Sequence, residues 1–107
     1  MPAVNRGEVW LIDFGMVAKV RPALLLSDNP ADDELDLVTV ILHTTALRGN
    51  RWEVAIPKSF LKPGAFHIQQ VQTVSTVKLE RKLGVLTRDE MGRILEALGN
   101  RLGLGTC

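Results

Sequence analysis

The sequence predicts a mostly β domain, β with a C-terminal α element: a small, strongly bent sheet or SH3-like barrel of six or seven short strands, capped by a C-terminal amphipathic helix. Three observations predict it. Short apolar runs bounded by Gly, Pro, Asn and Asp recur from Gly7 to Leu86. Several of them alternate with period two, the repeat of a strand with two distinct faces. Only the end of the chain, from Thr87 onward, carries apolar residues at helical spacing.

The elements follow in order. Glu8-Val-Trp-Leu-Ile-Asp13 is an apolar run between Gly7 and Gly15, and Ala23-Leu-Leu-Leu26 follows Pro22 and stops at Ser27-Asp28-Asn29-Pro30. The short turn between these runs predicts an antiparallel pair. Leu37 to Thr45 is rich in β-branched residues, with Val38, Val40, Leu42 and Thr44 on one face and Thr39, Ile41, His43 and Thr45 on the other. After the polar turn Arg48-Gly-Asn-Arg51, residues Trp52, Val54 and Ile56 point one way until Pro57. Lys58 to Gly64 has room for one helical turn. Phe66 to Val77 reads as one long strand or two short ones, and a further short strand is expected around Gly84 and Val85. Thr87 and Glu90 have the spacing of a capping box, after which Met91, Ile94, Leu95, Leu98 and Leu102 form one helical stripe that Gly99 and Gly103 would fray or end.

A chain of 107 residues has the size of one domain, taken here as 1–107, and an apolar share of 46% is enough to build a core. No long uncharged apolar run occurs, and the first six residues lack the apolar core of a secretory signal, so a soluble cytoplasmic protein is expected. The single cysteine is Cys107, which excludes an internal disulfide and leaves no Cys/His cluster at metal-ligand spacing. Neither a metal nor a cofactor is expected. The net charge of +1 conceals an uneven distribution: Asp28, Asp32, Asp33, Glu34 and Asp36 form an acidic loop, and the rest of the chain holds thirteen bases against seven acids. That excess is compatible with a polyanionic partner, and equally with a merely soluble surface.

Several segments resemble one known family. Arg6-Gly-Glu-Val-Trp10 followed by Val20-Arg-Pro-Ala-Leu-Leu-Leu26 is similar to the opening two strands of MazF/PemK toxins, with their RG-(D/E)-(I/V)-(W/Y) and RP-(V/A)-L-(I/V) patterns. Val38 to Thr45 resembles the family's third strand with its closing Thr/Ser pair, Val71-Gln-Thr-Val74 its (I/V)-R-T-(I/V) strand, and the terminal helix comes last. The resemblance covers essentially the whole chain. It implies an SH3-like barrel, a homodimer, an mRNA interferase that cuts single-stranded RNA, and an antitoxin whose tail covers the RNA groove.

RNA carries its own nucleophile: a 2′-hydroxyl attacks the adjacent phosphorus once a base takes its proton, an acid protonates the leaving 5′-oxygen, and cationic donors stabilise the extra charge. The resemblance assigns Arg21 and Thr44 to catalysis, the first as a planar cationic fork for phosphate oxygens and the second as a hydroxyl donor. His67 falls where PemK-like members can carry a catalytic arginine, and it is the third catalytic candidate. Candidates for RNA binding are Lys19, His43, Thr45, Arg48, Arg51 and Gln69. His43 has the titration range of a proton carrier, but alternation sets it opposite Thr44, as a structural histidine would also be. Trp10 and Trp52, in alternating strands, read as core or interface residues rather than stacking platforms.

Two departures from the family stand out. The first turn, Phe14 to Lys19, is short and lacks the His/Glu/Gln-rich stretch that many members fold over RNA. Gln69 stands near a PemK-like aspartate and Gln72 where an arginine is usual, and a glutamine neither gives nor takes a proton near neutral pH. A non-catalytic reading therefore stays open: a toxin-fold binding protein, either one acting on DNA gyrase as CcdB toxins do or a degenerate member that only binds its antitoxin.

Overall fold

The structure, a computed structural model, describes residues 3–15 and 19–104. The middle of the first turn, 16–18, and the expected lone thiol of Cys107 lie outside the described residues. Six strands are present among them: β1 (Glu8–Asp13), β2 (Val20–Leu25), β3 (Leu37–Thr44), β4 (Glu53–Val54), β5 (Ala65–Ser75) and β6 (Leu79–Val85), followed by helix α1 (Arg88–Leu102). They form one antiparallel sheet in the order β4-β5-β3-β2-β1-β6.

The predicted alternation explains how this sheet is buried on both faces. Val9, Leu24, Ile41, Phe66 and Ile68 point to one face, which Met91 and Ile94 of α1 cover together with Ile56 and Leu86. Trp10, Ile12, Ala23, Leu25, Val38 and Val40 point to the other, where Val4 and Leu79 join them. Each fully buried aliphatic side chain contributes about 2 kcal/mol, so neither layer can be dispensed with in a chain this small.

Irregular pairing bends the sheet. Between the pairs Ile41–Val71 and His43–Phe66, β5 carries more residues than β3, and the surplus is exposed at Gln69 and Gln70. Bulges of this kind increase local twist and turn a strand, which divides the long β5 into a buried first half and a more open second half. Two further register shifts lie between β1 and β6. β6 is longer than the short strand expected around Gly84 and Val85, and β4 is shorter than the run from Trp52 to Ile56.

Helix α1 begins as its sequence dictates. The Thr87 hydroxyl accepts from the Glu90 amide at 3.1 Å, and Glu90 Oε1 accepts from the Thr87 amide at 2.8 Å. The chain runs through Gly99 and ends at Gly103, whose φ of 68° is the left-handed cap. Leu98 packs on the core, whereas Leu102 at the end of the expected stripe is exposed. In the segment from Lys58 to Gly64 a single hydrogen-bonded turn forms, with the Leu61 amide on the Lys58 carbonyl at 3.0 Å. Lys58 Nζ also meets Glu90 Oε1 at 2.8 Å, tying this loop to the first turn of α1.

Candidate functional site

The site arises where two strands part. β2 and β3 pair at Leu25–Val40, Leu24–Ile41 and Ala23–Leu42, and the ladder stops there. Pro22 comes next, and a proline offers no amide to a neighbouring strand. β3 instead continues along β5 through His43–Phe66 and Thr44–Ala65. Between the separated ends lies a groove of about 380 Å³, lined on the β2 and β3 sides by Arg21, Pro22, His43 and Thr45. Leu11 and Leu83 form part of its apolar wall, Phe60 and Leu61 come from the loop tied to α1, and Lys62 and Arg81 add two cations.

Counted two residues past the last pair, Arg21 and Thr44 hold equivalent positions on the parted strand ends, but Thr44, unlike Arg21, does not itself line the groove. Arg21 is exposed and Thr44 is almost buried, at 9% exposure. The Thr44 hydroxyl accepts from the Ala46 amide at 3.0 Å, so its own proton is directed elsewhere. Behind Thr44 the chain of β5 approaches closely. A Cβ on Gly64 would overlap the Thr44 carbonyl oxygen, and only glycine lets the two segments lie this near.

His43 packs edge-on to Phe66, with ring centroids 5.0 Å apart. Burial holds its imidazole below the ordinary histidine range. The ring that lines the groove is therefore neutral near pH 7 and can accept a proton. Among the described residues no hydrogen bond engages either of its nitrogens. His67 shares a face with Thr44, since it lies two residues along β5 from Thr44's partner Ala65, yet it does not line the groove. It is buried opposite Glu53, and its Nδ1 has no hydrogen-bond partner among the described residues.

The remaining predicted residues fall outside the groove. Lys19 is exposed and closes the β1–β2 turn through its backbone, with φ 59° and its carbonyl accepting from the Phe14 amide at 2.9 Å. Arg48 and Arg51 lie on the exposed turn after Thr45, which the Glu53 carboxylate fastens by accepting from the Arg48 and Gly49 amides at 2.6 and 2.8 Å. Those bonds, with burial opposing them, hold Glu53 below its usual carboxylate range. Gln69 sits on the β5 bulge. Trp10 is buried and its Nε1 donates to Glu8 at 3.0 Å, while Trp52 is partly buried and packs against the core. Lys62 and Arg81, which sequence reading passed over, carry no motif; only the fold brings them to the groove.

Among the described residues no group of three or more His, Cys, Asp or Glu side chains is arranged to hold a metal ion. No helix among them is long and apolar enough to cross a membrane.

Residues 5–102 match the family profile described as PemK-like, MazF-like toxin of type II toxin-antitoxin system. The chain belongs to this toxin family. The toxin is 30% identical over 95 residues to the endoribonuclease MazF3 of Mycobacterium tuberculosis, an alignment spanning 87% of this chain and 92% of the relative. Its fold superimposes on a mycobacterial endoribonuclease solved in complex with its cognate antitoxin, with TM-score 0.80, 28% identity and both chains covered in full. The MazF of a MazE–MazF structure from Deinococcus radiodurans shares the fold with TM-score 0.82 at 20% identity, over 98% of this toxin and all of that chain. The MazF-like architecture expected from the sequence is thus the one present: an antiparallel six-stranded sheet and a terminal helix.

Proposed function

We propose that this toxin is a cytoplasmic endoribonuclease that cuts single-stranded mRNA without a metal, leaving a 2′,3′-cyclic phosphate and a 5′-hydroxyl. The observation that carries the reading is the groove between the parted ends of β2 and β3, where a permanent cation, the Thr45 hydroxyl and a neutral imidazole converge in a chain of this family.

In this reading Arg21 grips the nonbridging oxygens of the scissile phosphate, with the Thr44 and Thr45 hydroxyls donating from the opposite strand end. The 2′-oxygen forms its bond to phosphorus as the bond to the 5′-oxygen breaks. His43 takes the proton released by the 2′-hydroxyl. Arginine does not give up a proton near neutral pH, so Lys62 is the groove cation that supplies one to the departing oxygen. The geometry favours His43 over His67 as the base because His43 alone of the two lines the groove. His67, across from Glu53, supports the turn that carries Arg48 and Arg51. These two arginines, with Lys19 and Gln69, hold flanking RNA. The toxin acts as a homodimer, as the family resemblance implies, and is silenced by an antitoxin, a partner that the complex of a related endoribonuclease with its cognate antitoxin supports.

The test is incubation of the pure toxin with a long unstructured RNA in excess chelator. Discrete fragments with 5′-hydroxyl ends, lost in Arg21→Ala, are expected. Intact RNA at every pH tried would favour the non-catalytic alternative.

A further inference from the structure

Away from the groove, one aromatic side chain gathers two cations from distant parts of the chain. The Arg51 guanidinium carbon lies 4.5 Å from the centre of the Trp52 ring system, and that of Arg101, in the last turn of α1, lies 5.4 Å from the same centre. Among the described residues neither arginine takes part in an ion pair. Of the acidic groups nearest in sequence, Glu53 is held by the Arg48 and Gly49 amides, and Glu96, five residues before Arg101 on α1, forms no ion pair with it among the described residues. Two like charges at one indole repel each other, an arrangement that an anion between or beside them would relieve.

We propose that Arg51, Trp52 and Arg101 form a second RNA subsite, which binds the phosphodiester backbone of a nucleotide flanking the cleavage point. The proposal rests on the ribonuclease reading above and extends it to the C-terminal helix. Three features match the ligand. Guanidinium forks pair with phosphate oxygens. A partly open indole offers a stacking edge or face to an unpaired base. The patch is also joined to the groove by the Glu53-fastened turn that leaves β3 directly after Thr44 and Thr45, so one extended strand can run from the reacting phosphate across Arg48 to Arg51 and Arg101.

The test uses the full chain and a single-stranded 2′-O-methyl RNA, which lacks the attacking hydroxyl and so reports binding alone. Fluorescence anisotropy is read across a salt series for wild type, Arg51→Ala, Arg101→Ala and Arg101→Gln, with Lys78→Ala as a control for losing one positive charge. Loss of Arg51 or Arg101 is expected to weaken binding several-fold and to make the slope of log affinity against log salt shallower by about one. The same variants should raise KM for a long natural RNA more than they lower kcat, with unchanged melting. If wild type cuts RNA but the Arg101 variants bind no more weakly than Lys78→Ala, the subsite is wrong and the ribonuclease reading stands. If the Arg101 variants bind RNA like wild type but lose binding to a poly-glutamate peptide, the patch serves an acidic protein segment and the RNA proposal is overturned. If wild type neither binds nor cuts RNA, both readings fall together.

Discussion

Gly64 lies against the backbone of Thr44 so closely that a methyl group on it would overlap the Thr44 carbonyl oxygen and come within 3.0 Å of His43 Cε1. The end of β3, where the His43 imidazole meets the groove, is therefore located by a residue with no side chain. Gly64→Ala should displace this strand end, with a stability loss of about 1–3 kcal/mol and a fall in kcat beyond what the loss of folded protein explains. Thermal melting and cleavage rates on the same preparation check this; an unchanged kcat would show that the strand end is not critical.

A second expectation concerns the proton carrier. Because burial lowers the pKa of His43, its neutral form persists well below the usual histidine range, and the base is lost only as pH falls through that depressed value. The cleavage rate should rise from acid pH and level off below pH 6.5, the ordinary imidazole value. His43→Gln should lower the plateau by about a hundredfold or more and erase the acid limb. His67→Gln should keep the limb and chiefly raise KM. The reverse pattern would return the catalytic role to His67.

Acid stability has its own signature. Burial pushes the Glu8 carboxyl upward, but hydrogen bonds from Trp10, Asn5 and Lys82 outweigh it and bring its pKa to about 2 from 4.5. A depressed folded pKa means that the stabilisation is complete above the unfolded value and is lost as pH falls from about 4.5 toward 2. Half-exposed Lys82 screens part of the effect, leaving about 2 kcal/mol. Glu8→Gln should be less stable at pH 7 and should show a shallower decline in denaturant midpoint between pH 5 and 2.

Much of this was legible in the chain, for reasons that differ by element. Alternation assigned the β3 faces because both are buried against different core layers, so Ile41 and Val40 could not exchange places. The capping box of α1 is local chemistry and reads directly from Thr87 and Glu90. The surplus residues at Gln69 and Gln70 were not legible, since a bulge depends on the partner strand. Nor were Lys62, Arg81 and Arg101, which reach their sites through long-range packing. Leu102 fits the helical stripe, but by that point α1 has passed the layer its earlier leucine covers.

The loop bearing Phe60, Leu61 and Lys62 is tied to α1 by an ion pair. Lys58 is bonded to Glu90, and that bond, with the Thr87 cap, keeps the Glu90 carboxyl below its usual range against burial. Glu90→Ala should lower stability by about 1 kcal/mol through the lost cap. Lys58→Met, which spares the cap, should leave melting nearly unchanged and raise KM as the groove wall loosens. Equal KM values for Lys58→Met and wild type would show that the loop holds its place without this anchor.

We propose that the RNA supplies the attacking oxygen while Arg21 and the Thr44 and Thr45 hydroxyls hold the phosphate. The most direct test is a single 2′-deoxy substitution at a mapped cut site in an otherwise natural RNA. The toxin is expected to bind this RNA with unaltered affinity, to spare the substituted bond and still to cut unsubstituted sites. Continued cleavage at the deoxy position, with a 5′-phosphate on the released fragment, would contradict the proposal.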